Sequence, residues 1–334
     1  MRTLAILMMM FNIFFAMDDP QFGEIGDFPL VNGDTIKECR LEYRTFGKLN
    51  IDKSNAVIYP SWFGGITAHM VGLVGPGKLI DSTDFYVILV GALGNGISSS
   101  PSNSRLQGDA SFPAFTIRDM VEAEYLLLNN VLGINHLYGI IGGSMGSMQV
   151  FEWIVAYPEF CSRAIAYVCT PQLSSYDKLL FQTQVDIIEK GWKCGWSERE
   201  ILRLSRQVQN LNSTTPAHRV KSTASRDFEA FYEGLNTEPN GIFTTYNHRA
   251  QCRAMLAHDI SRTFSGSWEK TASQIQTPLL IIINRQDHSI NPEAALQFAP
   301  LVKARLLVLD NEYGHLGITP ELEKVSAEIS DFLK

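Results

Sequence analysis

Leu137-Tyr138-Gly139-Ile140-Ile141-Gly142-Gly143-Ser144-Met145-Gly146 is the stretch that decides the fold. An apolar run of strand type leads into Gly-x-Ser-x-Gly, and the residues after it have helical periodicity. A serine between a strand and a helix lies on a sharp, strained turn, where Gly142 and Gly146 must be small so that the two elements can approach. We therefore predict that Ser144 is a nucleophile and that the Met145 N–H can donate to a developing oxyanion.

Short apolar runs recur along the chain, with helical patterns between them. Runs without alternation are typical of strands that are covered on both faces of a parallel sheet. The alternation of strands and helices predicts an α/β fold, with a mostly parallel central sheet flanked by helices. In an earlier run, residues 39–44, polar and apolar residues alternate, which predicts an edge strand with one solvent-exposed face. The apolar runs are residues 56–59, 85–90, 137–141, 164–168, 279–283 and 305–309.

The strand pattern stops after the fourth of these runs and resumes only near residue 279. Residues 173–271 are instead polar and helical, which predicts an inserted helical lid over the carboxyl ends of the strands. The core would then consist of residues 18–172 and 272–334. An unrelated second domain is the alternative interpretation.

The first 17 residues form a candidate signal or leader segment. Arg2 precedes an apolar stretch of the length found in signal peptides, but Phe14 and Ala16 do not form a small-x-small cleavage site. Met17 is also a candidate translation start. We therefore expect a cytoplasmic protein, with secretion or a membrane anchor through residues 1–16 as the alternative.

Two residues near the carboxyl terminus are the predicted partners of Ser144. A serine hydroxyl needs a base to take its proton, and a carboxylate followed by a histidine is expected after the late strands. Asp287 follows the run at 279–283 and His315 follows the run at 305–309. We predict that His315 accepts the Ser144 proton, while Asp287 holds the imidazole tautomer and stabilises its cation.

A second oxyanion donor is expected in the loop after the first central strand. This loop contains Trp62, Phe63, Gly64 and Gly65, whose glycines allow a close backbone approach. The Phe63 N–H is the predicted donor, and the Trp62 N–H is the alternative.

Composition and motif searches argue against several other classes of protein. A formal net charge of -7 disfavours nucleic acid as a partner, because such proteins carry basic patches. Five scattered cysteines without C-x-x-C pairing indicate neither a zinc site nor a disulfide framework. The glycines at 75–77 and 91–96 match neither a phosphate-binding loop nor a dinucleotide fingerprint. We therefore expect a small-molecule acyl substrate and no metal or tightly bound cofactor.

Several stretches in order resemble the homoserine O-acetyltransferase branch of the α/β-hydrolases. The resemblance implies an α/β-hydrolase fold, a ping-pong mechanism through an acyl group on Ser144, acetyl-CoA or another acyl-CoA as co-substrate, and a homodimer through the lid. It places Ser144, Asp287 and His315 at the triad positions, and Phe63 and Met145 at the oxyanion-hole amides. The matching stretches are residues 43–50, 54–57, 72–81, 116–121 and 142–149.

One departure from the family bears directly on the substrate. Homoserine acetyltransferases follow the catalytic histidine with an aspartate that binds the substrate's amino group, whereas Leu316 follows His315 here. The family's arginine and tyrosine for the carboxylate have no identifiable counterparts in residues 173–271. We therefore predict hydrolysis of an ester or thioester, with acyl transfer to homoserine or another hydroxyl as the alternative. A non-catalytic binding protein on the same fold is the third hypothesis.

Overall fold

The computed structural model describes residues 19–237 and 241–334. An eight-stranded sheet in the order β1-β2-β4-β3-β5-β6-β7-β8 forms its centre. The β1–β2 and β2–β4 pairs are antiparallel, and all other neighbouring pairs are parallel. The strands are β1 (Gln21–Pro29), β2 (Thr35–Phe46), β3 (Ala56–Pro60), β4 (Tyr86–Val90), β5 (Gly139–Gly143), β6 (Ala164–Tyr167), β7 (Leu279–Asn284) and β8 (Arg305–Leu309).

Helices cover both faces of this sheet. Apolar residues of α2 and α3 pack on one face, and those of α11 pack on the other. The predicted α/β fold with a mostly parallel sheet is therefore confirmed. The α-helices of the described residues are α1 (Thr67–Met70), α2 (Ile117–Leu126), α3 (Met145–Ala156), α4 (Ser175–Lys193), α5 (Glu198–Asn212), α6 (Pro216–Ser222), α7 (Phe228–Gly234), α8 (Thr245–Leu256), α9 (Trp268–Gln274), α10 (Glu293–Phe298) and α11 (Leu322–Leu333).

The central strands are buried along their whole length. Every residue of β3, β5, β6 and β7 is buried. This burial is the reason that their sequences are apolar without alternation. Parallel strands also bring their carboxyl ends to one edge of the sheet, so the loops that follow β3, β5, β7 and β8 meet there.

The predicted edge strand at residues 39–44 is wrong. It is the second half of β2, which pairs with β1 on one side and β4 on the other. Two of its three alternating polar residues are buried: the Glu42 carboxylate accepts a hydrogen bond of 2.5 Å from the Thr67 hydroxyl, and Arg44 Nε donates to the same hydroxyl. The edge strands are β1 and β8. The sequence pattern does not predict β1, because register shifts around Gly26 interrupt its alternation.

Six helices, α4 to α9, lie between β6 and β7 in the described residues. We call residues 168–278 the inserted segment. The bounds predicted from the sequence, 173–271, fall within it, and α9 continues beyond them to Gln274.

The candidate leader at residues 1–17 lies outside the described residues. In the part of the chain that the structure describes, no helix is both long enough and apolar enough to span a membrane.

Candidate active site

Ser144 lies on the sharp turn between β5 and α3. Its backbone angles are φ 56° and ψ -125°, a strained conformation for a residue with a side chain. A Cβ at Gly142 would lie 2.3 Å from the Gly146 carbonyl oxygen, and one at Gly146 would lie 2.7 Å from the Pro60 carbonyl oxygen. Only glycine therefore fits at these two positions while the strand and the helix keep their close approach.

The structure brings the three predicted catalytic side chains together. His315 Nε2 lies 2.9 Å from Ser144 Oγ, and His315 Nδ1 lies 2.7 Å from Asp287 Oδ2. The other carboxylate oxygen of Asp287 accepts the Ser289 and Ile290 N–H groups at 2.8 and 2.9 Å. These bonds fix the buried carboxylate, so it can orient the imidazole with Nε2 facing the serine.

The loop that carries His315 is held by residues that the sequence analysis did not single out. The buried Asn284 side chain, at the end of β7, donates to the Gly314 carbonyl at 2.7 Å and to the Asn311 carbonyl at 2.9 Å. The His315 N–H donates to the Ser213 carbonyl of the inserted segment at 3.0 Å. The position of Asn284 directly after an apolar strand is the signal that could have identified it.

The environment of His315 favours its protonated form. Burial of the ring opposes the charge, but the charge of Asp287, its hydrogen bond and the charge of Asp177 outweigh that effect and raise the pKa of His315. A base with a raised pKa accepts the serine proton more readily, provided that the solution pH leaves the imidazole neutral.

The predicted oxyanion donors lie on a helix and on a loop. Met145 opens α3, and Phe63 lies in the loop after β3. Within residues 19–237 and 241–334, no acceptor is hydrogen-bonded to the N–H of Met145, Phe63 or Trp62. The predicted donor Phe63 and its alternative Trp62 therefore both have an N–H without an acceptor in the described residues.

A cavity of about 420 Å³ opens onto Ser144 and His315. Trp62, Tyr167 and Ile318 line its core side. Leu180, Phe181 and Met255 line it from the inserted segment. Most of the lining is apolar, as is typical of pockets for small organic ligands.

The lining contains no ionised carboxylate, ammonium or guanidinium group. Among the described residues, its polar members are amides, hydroxyls and the His315 imidazole, with no Asp, Glu, Lys or Arg. Leu316, which takes the place of the family's aspartate, is 48% exposed and forms part of the lining. The described residues also contain no group of three or more side chains suited to a metal ion.

Comparison with known proteins identifies the family of the chain. The model of the α/β-hydrolase fold family matches residues 74–321. An ethyl acetate hydrolase from Pseudomonas veronii is 39% identical, over 92% of this chain and 94% of that protein. A homoserine O-acetyltransferase from Methanococcoides burtonii is 35% identical, over 92% of this chain and 72% of that protein. The solved structure of the acetyl esterase MekB superposes with a TM-score of 0.85 at 25% identity, covering 94% and 96% of the two chains.

The chain belongs to the α/β-hydrolase fold family. Within this family it is a homoserine O-acetyltransferase-like enzyme, whose relatives include both esterases and acetyltransferases. The fold and family expected from the sequence are therefore confirmed.

Proposed function

We propose that this enzyme hydrolyses uncharged carboxylic esters through an acyl group on Ser144. The observation that carries the proposal is a cavity lining without Asp, Glu, Lys or Arg, around a serine that is hydrogen-bonded to His315. An acceptor with an ammonium and a carboxylate would lose its hydration in such a cavity without gaining ionic partners. An uncharged ester has no such penalty.

In the first half of the proposed reaction, Ser144 Oγ attacks the ester carbonyl carbon. His315 Nε2 takes the hydroxyl proton, and the Phe63 and Met145 N–H groups donate to the oxyanion. The bond from the carbonyl carbon to the alkoxy oxygen then breaks. His315 returns the proton to that oxygen, so the alcohol leaves and the acyl group stays on Ser144.

In the second half, water replaces the alcohol. His315 takes a proton from the water as its oxygen attacks the acyl carbon, and the same two N–H groups bind the second oxyanion. The bond to Ser144 Oγ breaks, His315 reprotonates the serine, and the carboxylic acid leaves. Asp287 keeps the same imidazole orientation in both halves and stabilises the transient imidazolium.

The inserted segment supplies much of the substrate's surroundings. Leu180, Phe181, Gln184 and Met255 line the cavity from this side. We propose that the segment serves as the lid predicted from the sequence, which covers Ser144 and shapes the cavity around the substrate. The homodimer implied by the resemblance stays a prediction.

Acyl transfer is the second candidate function. Homoserine O-acetyltransferases among the relatives favour it, and an acyl-CoA could load Ser144 by the same chemistry as an ester. Against transfer to a charged acceptor stands a cavity lining without Asp, Glu, Lys or Arg. A site that binds a charged acceptor discriminates through such groups.

A pair of acetate esters of matched shape tests the proposal. Acetylcholine and 3,3-dimethylbutyl acetate differ by a quaternary nitrogen in place of a carbon. We expect kcat/KM to be at least about tenfold higher for the neutral ester, because the charged one must be desolvated. Ethyl acetate should also be hydrolysed, and Ser144→Ala should lose both hydrolysis and labelling by a fluorophosphonate.

Either of two results would contradict the proposal. Equal or faster turnover of acetylcholine would show that the cavity accepts a cation. Failure of wild-type protein to hydrolyse any acetate ester, while a fluorophosphonate still labels Ser144, would exclude ester hydrolysis and favour transfer.

A further inference from the structure

The loop that carries the predicted oxyanion donor Phe63 contains a tight turn. The Gly65 N–H donates to the Trp62 carbonyl at 2.8 Å. Gly64, in the turn, has a φ of +64°, which a residue with a side chain rarely adopts. The Phe63 N–H therefore belongs to a turn whose shape depends on the orientation of the next peptide, between Phe63 and Gly64.

That next peptide is held by a side chain of the inserted segment. Gln251 Oε1, on α8, accepts the Gly64 N–H at 2.8 Å. Its Nε2 donates to the Leu93 carbonyl, in the loop after β4, at 2.9 Å. Gln251 is fully buried. One side chain thus links α8 to the loop after β3 and the loop after β4.

The same helix also packs on the side chain of Phe63. The ring of His248, one turn before Gln251 on α8, meets the Phe63 ring edge-on, with 4.9 Å between centroids. Burial lowers the pKa of His248 to about 3, so its ring is uncharged at neutral pH. The contact is therefore one between two neutral rings. The inserted segment therefore contacts the Phe63 ring and is hydrogen-bonded to the peptide that follows Phe63.

We propose that Gln251 is a positioning residue that sets the oxyanion donor Phe63 through its bond to Gly64. Oxyanion donors act only when they lie at hydrogen-bond distance from the developing charge. Without an acceptor for the Gly64 N–H, the turn loses its anchor to α8 and can shift until that N–H reaches another partner, and a shift of the turn moves the Phe63 N–H. Gln251 thereby makes docking of α8 a condition for a complete oxyanion hole.

This inference rests on the proposed function for its ester assay. Gln251→Met keeps the size of the side chain and removes both hydrogen bonds. We expect kcat for 3,3-dimethylbutyl acetate to fall roughly tenfold to a hundredfold, since loss of a whole donor costs more. KM should change by no more than about twofold, because the bonds to the transition state are the ones affected. A trifluoromethyl ketone, which forms an oxyanion on Ser144, should bind more weakly by the same factor as kcat.

Asn247→Leu is the matched control. Asn247 is buried on the same face of α8, and it bonds to Ser102 and Ile242 rather than to the loop of Phe63. The two variants should lower the melting temperature comparably. The control should keep kcat within about threefold of wild type. Gln251→Asn, whose shorter side chain draws the acceptor away from Gly64, provides a milder second variant and should have an intermediate kcat.

The outcomes separate a positioning role from a structural one. Equal losses of kcat in Gln251→Met and Asn247→Leu would overturn the inference, as would an unchanged affinity of Gln251→Met for the ketone. The rate at which a fluorophosphonate labels Ser144 also depends on the oxyanion donors and needs no ester hydrolysis. If wild-type protein hydrolyses no ester, the proposed function fails, and the ratio of labelling rates still decides the role of Gln251.

Discussion

Two carboxylates from different parts of the chain raise the pKa of His315. Asp287 bonds to its ring directly, whereas Asp177 acts through its charge. Asp177 is buried in the first turn of α4, where it accepts the Asn291 N–H at 2.9 Å. The inserted segment therefore contributes to the basicity of the proposed catalytic base.

The pH dependence of kcat/KM tests this arrangement. Only neutral His315 can accept the serine proton, so activity falls as the pH drops through its pKa. Because that pKa is raised, the acid limb should lie above the ordinary histidine value of about 6.5. Asp177→Asn removes a charge that raises the pKa and should move the limb to lower pH. Asp186→Asn, an exposed position on the same helix, should leave it in place. If the acid limb of Asp177→Asn stays at the wild-type pH, the charge of Asp177 does not raise the pKa of His315.

Leu316 is the second residue whose effect is testable alone. Leu316→Asp places a carboxylate at the cavity, where it can partner a cation. The ratio of kcat/KM for acetylcholine to that for 3,3-dimethylbutyl acetate should rise by roughly tenfold, as expected for one partly screened charge pair. Leu316→Asn has the same shape without the charge and should leave the ratio unchanged. The ratios should be measured at a pH where kcat/KM no longer changes with pH, because the new charge also affects the pKa of His315. Equal ratios in the two variants would rule out an electrostatic origin.

At the scale of elements, the sequence predicts most of the sheet and not its first edge. The runs that form β3 to β7 are apolar because both faces of each strand are covered. β8, at the other edge, also comes from an apolar run, although Arg305 and Leu306 are exposed. The alternation in β2 does not mark an edge strand, because Glu42 and Arg44 bond to buried partners such as Thr67. These partners are distant in sequence, so periodicity cannot reveal them. β1, with a bulge near Gly26, has no regular period to recognise.

The close approach of β5 and α3 predicts a large difference between two glycine substitutions. Gly142→Ala would place a Cβ 2.3 Å from the Gly146 carbonyl oxygen, so the turn must shift. We expect a loss of about 1–3 kcal/mol in the free energy of unfolding, with loss of esterase activity. At Gly234, the last residue of α7, a Cβ meets no atom within 4 Å, so Gly234→Ala should be neutral or slightly stabilising. Denaturant titration measures both. Equal stability in the two variants would show that the turn is not tightly packed.

The candidate site was predictable where it depends on strand order and not where it depends on long-range contacts. Ser144, Asp287 and His315 each follow a recognisable strand, and a parallel sheet gathers such positions at one edge. Gln251 lies 187 residues from its partner Gly64, on a helix with no distinctive motif. Asn284 was visible in the sequence, but its bonds depend on the fold of the loop before His315.

At the scale of the whole molecule, one buried acid makes stability depend on pH. Burial raises the pKa of Glu124 to about 8, although a hydrogen bond from Trp153 lowers it in part. The folded protein therefore holds this proton more tightly than the unfolded chain, whose pKa is near 4.5. The stabilisation is complete below the unfolded value and is lost as the pH rises through the folded one.

Glu124→Gln should remove this contribution. Between pH 5 and 8 the free energy of unfolding of wild type should fall relative to that of the variant, by on the order of a few kcal/mol at about 1.4 kcal/mol per pKa unit. Glu323→Gln, at an exposed position of α11, serves as the control. Its free energy of unfolding should depend on pH in the same way as that of wild type. If the free energy of unfolding depends on pH in the same way for Glu124→Gln and wild type, the raised pKa of Glu124 is contradicted.

The central claim for the molecule is that water, and not a charged acceptor, discharges the acyl group from Ser144. The most direct measurement supplies ethyl acetate or acetyl-CoA as donor, with and without homoserine, and quantifies acetate and O-acetylhomoserine by mass spectrometry. We predict acetate release from ethyl acetate at a rate that homoserine does not change, with no O-acetylhomoserine from either donor. Homoserine-dependent consumption of acetyl-CoA with formation of O-acetylhomoserine would contradict the account.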